Sequence, residues 1–175
     1  MQQLADAKKV ASLIDELAAK VAAAMTDHRP WAIVGIRRRG DALAQRLAGR
    51  LKPDFTGAID ITLYRDDLSE VGPQPQVRTT DINFDLDNCN ILLVDDVLMS
   101  GRSVRAALQS LLDFGRPRRV KLAVLVDRGG RELPICPDFV GLSINTDETE
   151  HVRVRLEPTD PSDQILLMPK PPNTR

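Results

Sequence analysis

Residues 91–103 constrain this chain more than any other stretch. Ile91-Leu92-Leu93-Val94 is a run of apolar β-formers that leads straight into Asp95-Asp96. Val97-Leu98-Met99-Ser100-Gly101-Arg102-Ser103 follows, and an amphipathic helical pattern begins at Val104. That order predicts a buried parallel strand, a loop at its carboxyl end and a helix N-terminus. In open α/β sheets ligands bind at such an edge. A helix start offers unpaired N–H groups and the positive end of a dipole, which suits a phosphate. Gly101 lets the backbone come close, and the Ser100 and Ser103 hydroxyls can donate to the same anion. Asp95 and Asp96 repel a phosphate and are instead placed for sugar hydroxyls, a cation or a cationic transition state. A bare Asp-Asp after a strand is ordinarily a solvated pair; here it is the composite that points to a site.

The rest of the chain repeats the alternation of strand and helix, which predicts an α/β fold with a mostly parallel sheet and helices on both faces. Residues 4–25 read as one amphipathic helix, with Val10, Leu13, Ile14, Leu17 and Val21 on one side. Residues 31–36 read as a buried strand running into Arg37-Arg38-Arg39-Gly40, with Asp41 as candidate cap of a helix over 42–51. Three Arg and a Gly at a strand's carboxyl end suit a polyanion, and Arg38, Arg39 and Gly40 are its candidates. Residues 58–64 alternate as a strand. The polar stretch that follows, about 65–80, is long for a compact domain and predicts a flexible lid, with Tyr64, Arg65, Asp66, Asp67 and Arg78 in or beside it. The central helix is expected to reach about Phe114 and end at Gly115 and Pro117. A strand over 118–126 then delivers Asp127-Arg128-Gly129-Gly130-Arg131. Residues 140–144 and 152–156 read as short strands, and 169–175 as a frayed tail.

Composition removes several function classes. A length of 175 residues fits one domain spanning the chain. The net charge is −1, which gives no global case for nucleic acid or a membrane surface, and 3% aromatic content argues against a base-stacking platform. Two Cys and two isolated His make no zinc-like cluster. No apolar run approaches a membrane span, and the cysteine usage fits a reducing cytoplasm.

These stretches together resemble the family of pyrimidine operon regulatory proteins that are also uracil phosphoribosyltransferases, the PyrR family. The resemblance is carried by Gly35–Gly40, by Asp60-Ile61-Thr62-Leu63-Tyr64-Arg65-Asp66-Asp67-Leu68, by the 94–105 motif, by Gly115-Arg116-Pro117 and by 122–135. It implies a type I phosphoribosyltransferase fold: a doubly wound sheet plus a small hood formed partly by residues 127–145. It implies Mg²⁺-dependent conversion of uracil and phosphoribosyl pyrophosphate (PRPP) to UMP and pyrophosphate. It assigns catalysis to Asp95 and Asp96, and the 5′-phosphate to Val97, Leu98, Met99, Ser100, Gly101, Arg102 and Ser103. It puts pyrophosphate at Arg38, Arg39 and Gly40, and uracil at Asp127, Arg128 and Gly129. Mg²⁺ is expected on PRPP oxygens rather than in a protein cage. The resemblance further implies homodimers or larger homo-oligomers, and regulation of pyrimidine genes by sensing UMP or UTP. A nucleic-acid face for pyrimidine-gene mRNA or DNA would rest on Arg131, Arg153 and Arg155, because the first helix offers Asp15 and Glu16, which repel phosphates. The alternative is a weakly catalytic or non-catalytic nucleotide-responsive regulator.

Overall fold

The computed structural model describes residues 1–27, 29–62 and 80–170. The expected lid residues Tyr64, Arg65, Asp66, Asp67 and Arg78 lie outside the described residues, as do 171–175 of the expected frayed tail.

Five parallel strands form the main sheet: β2 (Trp31–Ile36), β3 (Phe55–Ile59), β4 (Asn90–Leu98), β5 (Arg119–Asp127) and β6 (Phe139–Ser143), in the order β3-β2-β4-β5-β6. β4 is central and apolar from Ile91 to Val94, as expected for a strand covered on both faces. Two helices, α1 (Ala7–Ala24) and α2 (Arg39–Leu51), pack on one face, where Leu13, Leu17, Leu43 and Leu47 meet Ile33, Leu92 and Leu125. The helix α3 (Arg102–Leu111) covers the other, where Val104, Ala107 and Leu111 meet Val34, Ile91 and Leu93. The chain order reverses direction across the sheet between β2 and β4, so a crevice opens at the carboxyl ends of those two strands.

Several boundaries differ from the sequence reading, each for a physical reason. Residues 2–5 are not helical. They form β1 (Gln2–Ala5), and Asp6 caps α1 by accepting from the Lys9 N–H at 2.8 Å. α2 begins at Arg39 rather than at 42, so Asp41 is no cap; it lies in the first turn and pairs with Arg37 at 3.3 Å. β3 covers residues 55–59, earlier than the expected 58–64. β4 runs on through both Asp residues to Leu98, because β5 pairs with it that far, Val97 to Val126 and Leu98 to Asp127. α3 stops at Leu111, and residues 112–114 close as turns before Gly115.

The second sheet is antiparallel and joins chain segments that are far apart. β1 pairs with β8 (Gln164–Pro169), which pairs with β7 (Glu150–Arg155). It shares the α1 side of the core through Ala5, Val152, Val154 and Ile165. Residues 127–145, where the resemblance put part of a hood, supply the loop after β5 and the edge strand β6 of the main sheet. Among the described residues no helix is long and apolar enough to cross a membrane.

Candidate functional site

The crevice holds a cavity of about 390 Å³ lined by Arg38, Arg39, Asp60, Thr62, Asp95, Asp96, Val97 and Ser103, with Ile36, Arg37 and Ile61 behind them. Each comes from the carboxyl end of a strand or from the loop or helix start that follows. The loop after β2 and the start of α2 supply the three Arg. The Arg37 N–H donates to Ile59 O at 2.9 Å, which ties this loop to the end of β3, and the Arg37–Arg38 peptide is cis. Gly40 lets α2 start against the sheet. A Cβ there would lie 2.6 Å from Val94 O and 3.1 Å from the Asp95 Cα. This contact sets the Arg38 and Arg39 backbone beside the acidic pair.

Asp95 is only 7% exposed. Its Oδ1 accepts from the Asp96 N–H at 2.9 Å. Burial pushes its carboxyl well above the usual range, and the adjacent Asp96 charge adds to the push. Burial raises Asp96 as well, against the hydrogen bond with Asp95 and the positive charge of Arg39. Arg39 is itself held from outside: Nε and Nη2 donate to the two Asp160 oxygens at 2.9 and 3.0 Å.

Beyond Asp96 the chain turns at Gly101, whose φ of 90° is left-handed, and α3 starts. Ser103 faces the cavity. Arg102 turns outward to Glu132 at 2.7 Å. The Leu98 side chain lies in the core at 2% exposure, so only its backbone is near the loop. Ser100 O accepts from the N–H groups of Glu132 and Leu133, both at 3.0 Å, which braces the loop from the β5 side.

Asp127, Arg128 and Gly129 do not line this cavity. Arg128 instead faces a second one of about 610 Å³, together with Met99, Gly130, Arg131, Thr146, Asp147 and His151. Arg131 holds that wall together. Its guanidinium donates to Ile135 O at 2.9 Å, Met99 O at 2.9 Å and Asp127 Oδ2 at 2.6 Å. Burial pushes the Asp127 carboxyl up, but the hydrogen bonds from Arg131 and the Gly129 N–H outweigh it and hold the group low. Arg128 is 9% exposed, and its Nη2 donates to Asp147 O at 3.2 Å. Its buried Nε and the Thr146 Oγ1 have no hydrogen-bond partner among the described residues. Of the other basic candidates, Arg153 is exposed on β7 and Arg155 is half-buried.

The sequence reading did not single out Asp60, Ile61, Thr62 or Asp160 as site residues. The first three follow once β3 is known to lie beside β2, since its carboxyl end then shares the crevice. Asp60 Oδ1 accepts from Thr62 N and Oγ1 at 2.8 and 2.5 Å, which fixes that corner. Among the described residues no group of three or more His, Cys, Asp or Glu is arranged to hold a metal ion.

Comparison with known proteins agrees with this geometry. A family model described as phosphoribosyl transferase domain matches residues 1–159. The bifunctional protein PyrR of Thermus aquaticus is 48% identical over 174 residues, covering 96% of each chain. That of Roseiflexus sp. (strain RS-1) is 48% identical over 164 residues, covering 91% of this chain and 90% of the relative. That of Deinococcus deserti is 54% identical over 141 residues, covering 78% of this chain and 77% of the relative. Among solved structures, a hypoxanthine phosphoribosyltransferase of Trypanosoma cruzi in a ternary substrates complex superposes with a TM-score of 0.72 at 21% identity, covering 95% of each chain. One from Staphylococcus aureus gives 0.67 at 19% identity, covering 85% of this chain and 79% of the other. These two establish the fold, while the much higher identity to the bacterial relatives over nearly the whole length goes further: the chain belongs to the PyrR family of phosphoribosyltransferases.

Proposed function

We propose that the chain transfers the phosphoribosyl group of PRPP to uracil, forming UMP and pyrophosphate, and that the same site senses uridine nucleotides. The observation that carries this reading is the cavity that brings Arg38 and Arg39, the Asp95–Asp96 pair and Ser103 together at one sheet edge. The span from guanidinium groups through carboxylates to a helix N-terminus matches a molecule with pyrophosphate at one end, a sugar in the middle and a phosphate at the other. Uracil N1 attacks the anomeric carbon, the bond from that carbon to pyrophosphate oxygen breaks, and pyrophosphate leaves with the electron pair. The N1 proton goes to solvent or to the departing phosphate. The transition state has cationic character at the sugar, so ionised Asp96 beside it stabilises developing charge, and Asp95 orients the ribose hydroxyls. The N–H groups from Met99 to Ser103 and the Ser hydroxyls hold the 5′-phosphate.

The acids in the cavity suit a metal that arrives with the substrate. Asp95 is buried and raised in pKa, and Asp60 is already engaged by Thr62. Such donors make a poor dedicated cage for Mg²⁺, which keeps water and phosphate oxygens as ligands. The substrate is therefore the Mg²⁺ complex of PRPP.

The base is assigned to the 610 Å³ cavity beside Met99. Arg128 and Asp147 line it, and a guanidinium beside a carboxylate offers a donor and an acceptor to the carbonyl and N–H edge of a pyrimidine. Of the candidate residues, Arg128 contacts the base, while Asp127 and Gly129 shape the wall behind it.

The test is incubation with uracil, PRPP and Mg²⁺, followed by measurement of UMP and pyrophosphate. Stoichiometric formation of both is expected, and Asp96→Asn is expected to lower kcat by about 10²-fold or more while the fold is kept. Wild-type turnover in that variant refutes the role given to Asp96. The relatives are named bifunctional proteins, which favours a second activity on the same chain. UMP or UTP in the site would alter affinity for pyrimidine-gene mRNA or DNA through exposed Arg153 and its neighbours in a homo-oligomer in the cytoplasm. Salt-titrated binding to leader RNA with and without UMP checks it, and no UMP dependence at low salt removes it for that RNA.

A further inference from the structure

We propose that Asp160, in the loop between β7 and β8, is a positioning residue that holds Arg39 in its anion-binding pose and so sets affinity for the pyrophosphate end of the substrate. The proposal rests on the assignment of pyrophosphate to Arg38 and Arg39. Asp160 belongs to a different sheet from the strands that form the cavity, and it does not line it.

The geometry is that of a clamp. Arg39 Nε donates to Asp160 Oδ2 at 2.9 Å and Nη2 to Oδ1 at 3.0 Å, with the Asp160 side chain 9% exposed and that of Arg39 29% exposed. A guanidinium has five N–H donors in a planar fork. Asp160 uses the Nε edge. The opposite edge, Nη1 with the second Nη2 hydrogen, has no hydrogen-bond partner among the described residues, and Arg39 lines the cavity beside Asp96. An arginine with one edge fixed by a carboxylate is pre-organised to offer the other edge to a phosphate. An unclamped Arg would have to give up its rotamer freedom when the ligand arrives.

Asp160 is anchored in turn. Its Oδ2 also accepts from the Leu156 N–H at 3.1 Å, and its own N–H donates to Leu156 O at 2.8 Å. The hydrogen bond from Arg39 keeps its carboxyl below the usual range, so the clamp persists through neutral pH. A second tie makes the effect local. Two helical turns further along α2, Arg46 pairs with Asp163 and donates to Glu157 O at 3.2 Å, while Asp163 Oδ1 accepts from the Glu157 N–H at 2.9 Å. The loop therefore stays on α2 when Asp160 is removed, and only Arg39 is released.

The test compares Asp160→Ala with Arg39→Ala and the double variant by calorimetric binding of pyrophosphate with Mg²⁺, of PRPP with Mg²⁺ and of UMP. Asp160→Ala is expected to weaken pyrophosphate and PRPP about tenfold. It is expected to leave UMP, which has no pyrophosphate group, within about twofold. In the Arg39→Ala background the Asp160 change should add less than about twofold, since there is no guanidinium left to position. Equal weakening of UMP and pyrophosphate, unchanged or tighter pyrophosphate binding, or additive losses in the double variant would each overturn the proposal. Should Asp160→Ala not fold, Asp160→Asn takes its place with the same expectations. If Arg39→Ala itself leaves pyrophosphate binding intact, the assignment of the site fails. If Arg39→Ala weakens it and Asp160→Ala does not, the positioning role alone fails.

Discussion

The same substitution at two glycines of one helix should move stability in opposite directions. Gly40 and Gly49 both lie inside α2. Around Gly49 a Cβ would meet nothing within 4 Å. Gly49→Ala therefore gains only from the lower chain entropy of the unfolded state and should stabilise by about 0.5–1 kcal/mol. At Gly40 a Cβ would sit 2.6 Å from Val94 O, 3.1 Å from Asp95 Cα and 3.3 Å from Asp95 Oδ1. The nearest atom is a backbone carbonyl of β4, which is paired on both sides, Val94 opposite Gly35 on β2 and Ala123 on β5. It cannot give way, so the start of α2 must lift off the sheet. Overpacking of this kind costs about 3 kcal/mol at the upper end of its usual range, offset by at most ~1 kcal/mol of helix propensity. The net loss is about 2 kcal/mol, a fall in Tm of about 4–8 °C for a chain of this size, against a rise of about 1–4 °C for Gly49→Ala. Thermal unfolding followed by circular dichroism reads both. A Gly40→Ala protein as stable as wild type would show that α2 does not lie on β4 as described, and the argument that Gly40 sets Arg38 and Arg39 beside the acids would go with it.

Three further outcomes are expected. Asp95 has a folded-state pKa raised above the ~3.9 of an unfolded Asp, so between those values the folded state binds more protons and stability falls as pH rises, by at most about 1.4 kcal/mol per pH unit. Asp95→Asn should abolish that dependence and be more stable than wild type at pH 7 but not at pH 3; matching denaturation curves at both pH values would contradict it. Gly101→Ala forces an L side chain to a φ of 90° and a Cβ to 3.2 Å from that of Ile135, and should cost about 1–3 kcal/mol and weaken UMP binding; a variant that binds UMP as wild type does would refute the close-approach argument. Arg131→Met removes the three hydrogen bonds that hold Met99, Asp127 and Ile135 together, so KM for uracil should rise while that for PRPP stays within about twofold; a parallel rise in both would contradict separate walls.

What could be read from the residues was local and strongly patterned. β2 was legible to its ends, because a buried parallel strand between a Pro and an Arg run has few other readings. The acidic pair and the Ser-Gly loop were legible in position, since the pair lies near the carboxyl end of β4 and the loop leads into α3. Errors came where long-range pairing overrode local preference. Asp is a poor strand former, so β4 reads as ending at Val94, yet pairing with β5 carries it to Leu98 and buries Asp95 within the strand. Short strands such as β1 and β8 are too brief to show a period, and their pairing joins Gln2 to Leu167. Nothing in Pro-Thr-Asp-Pro announces that its Asp reaches an Arg 121 residues earlier in the chain.

On the proposed assignment the legible parts, at the ends of β2 and β4, are the anion- and sugar-facing ones. A sheet edge shared by a fold does not by itself choose the base. On the proposed assignment that choice falls to the 128–151 wall, where Arg128, Thr146 and His151 stand, and to strands that only tertiary pairing creates. β7 contributes its start to that wall through Glu150 and His151, β8 is followed directly by Lys170 at the same cavity, and the loop between them carries Asp160 to Arg39. One hairpin therefore lines the second cavity and reaches the first through Arg39. Substitutions that change the base accepted should map to its open end, and those that change pyrophosphate affinity to its loop, with β4 indifferent to both.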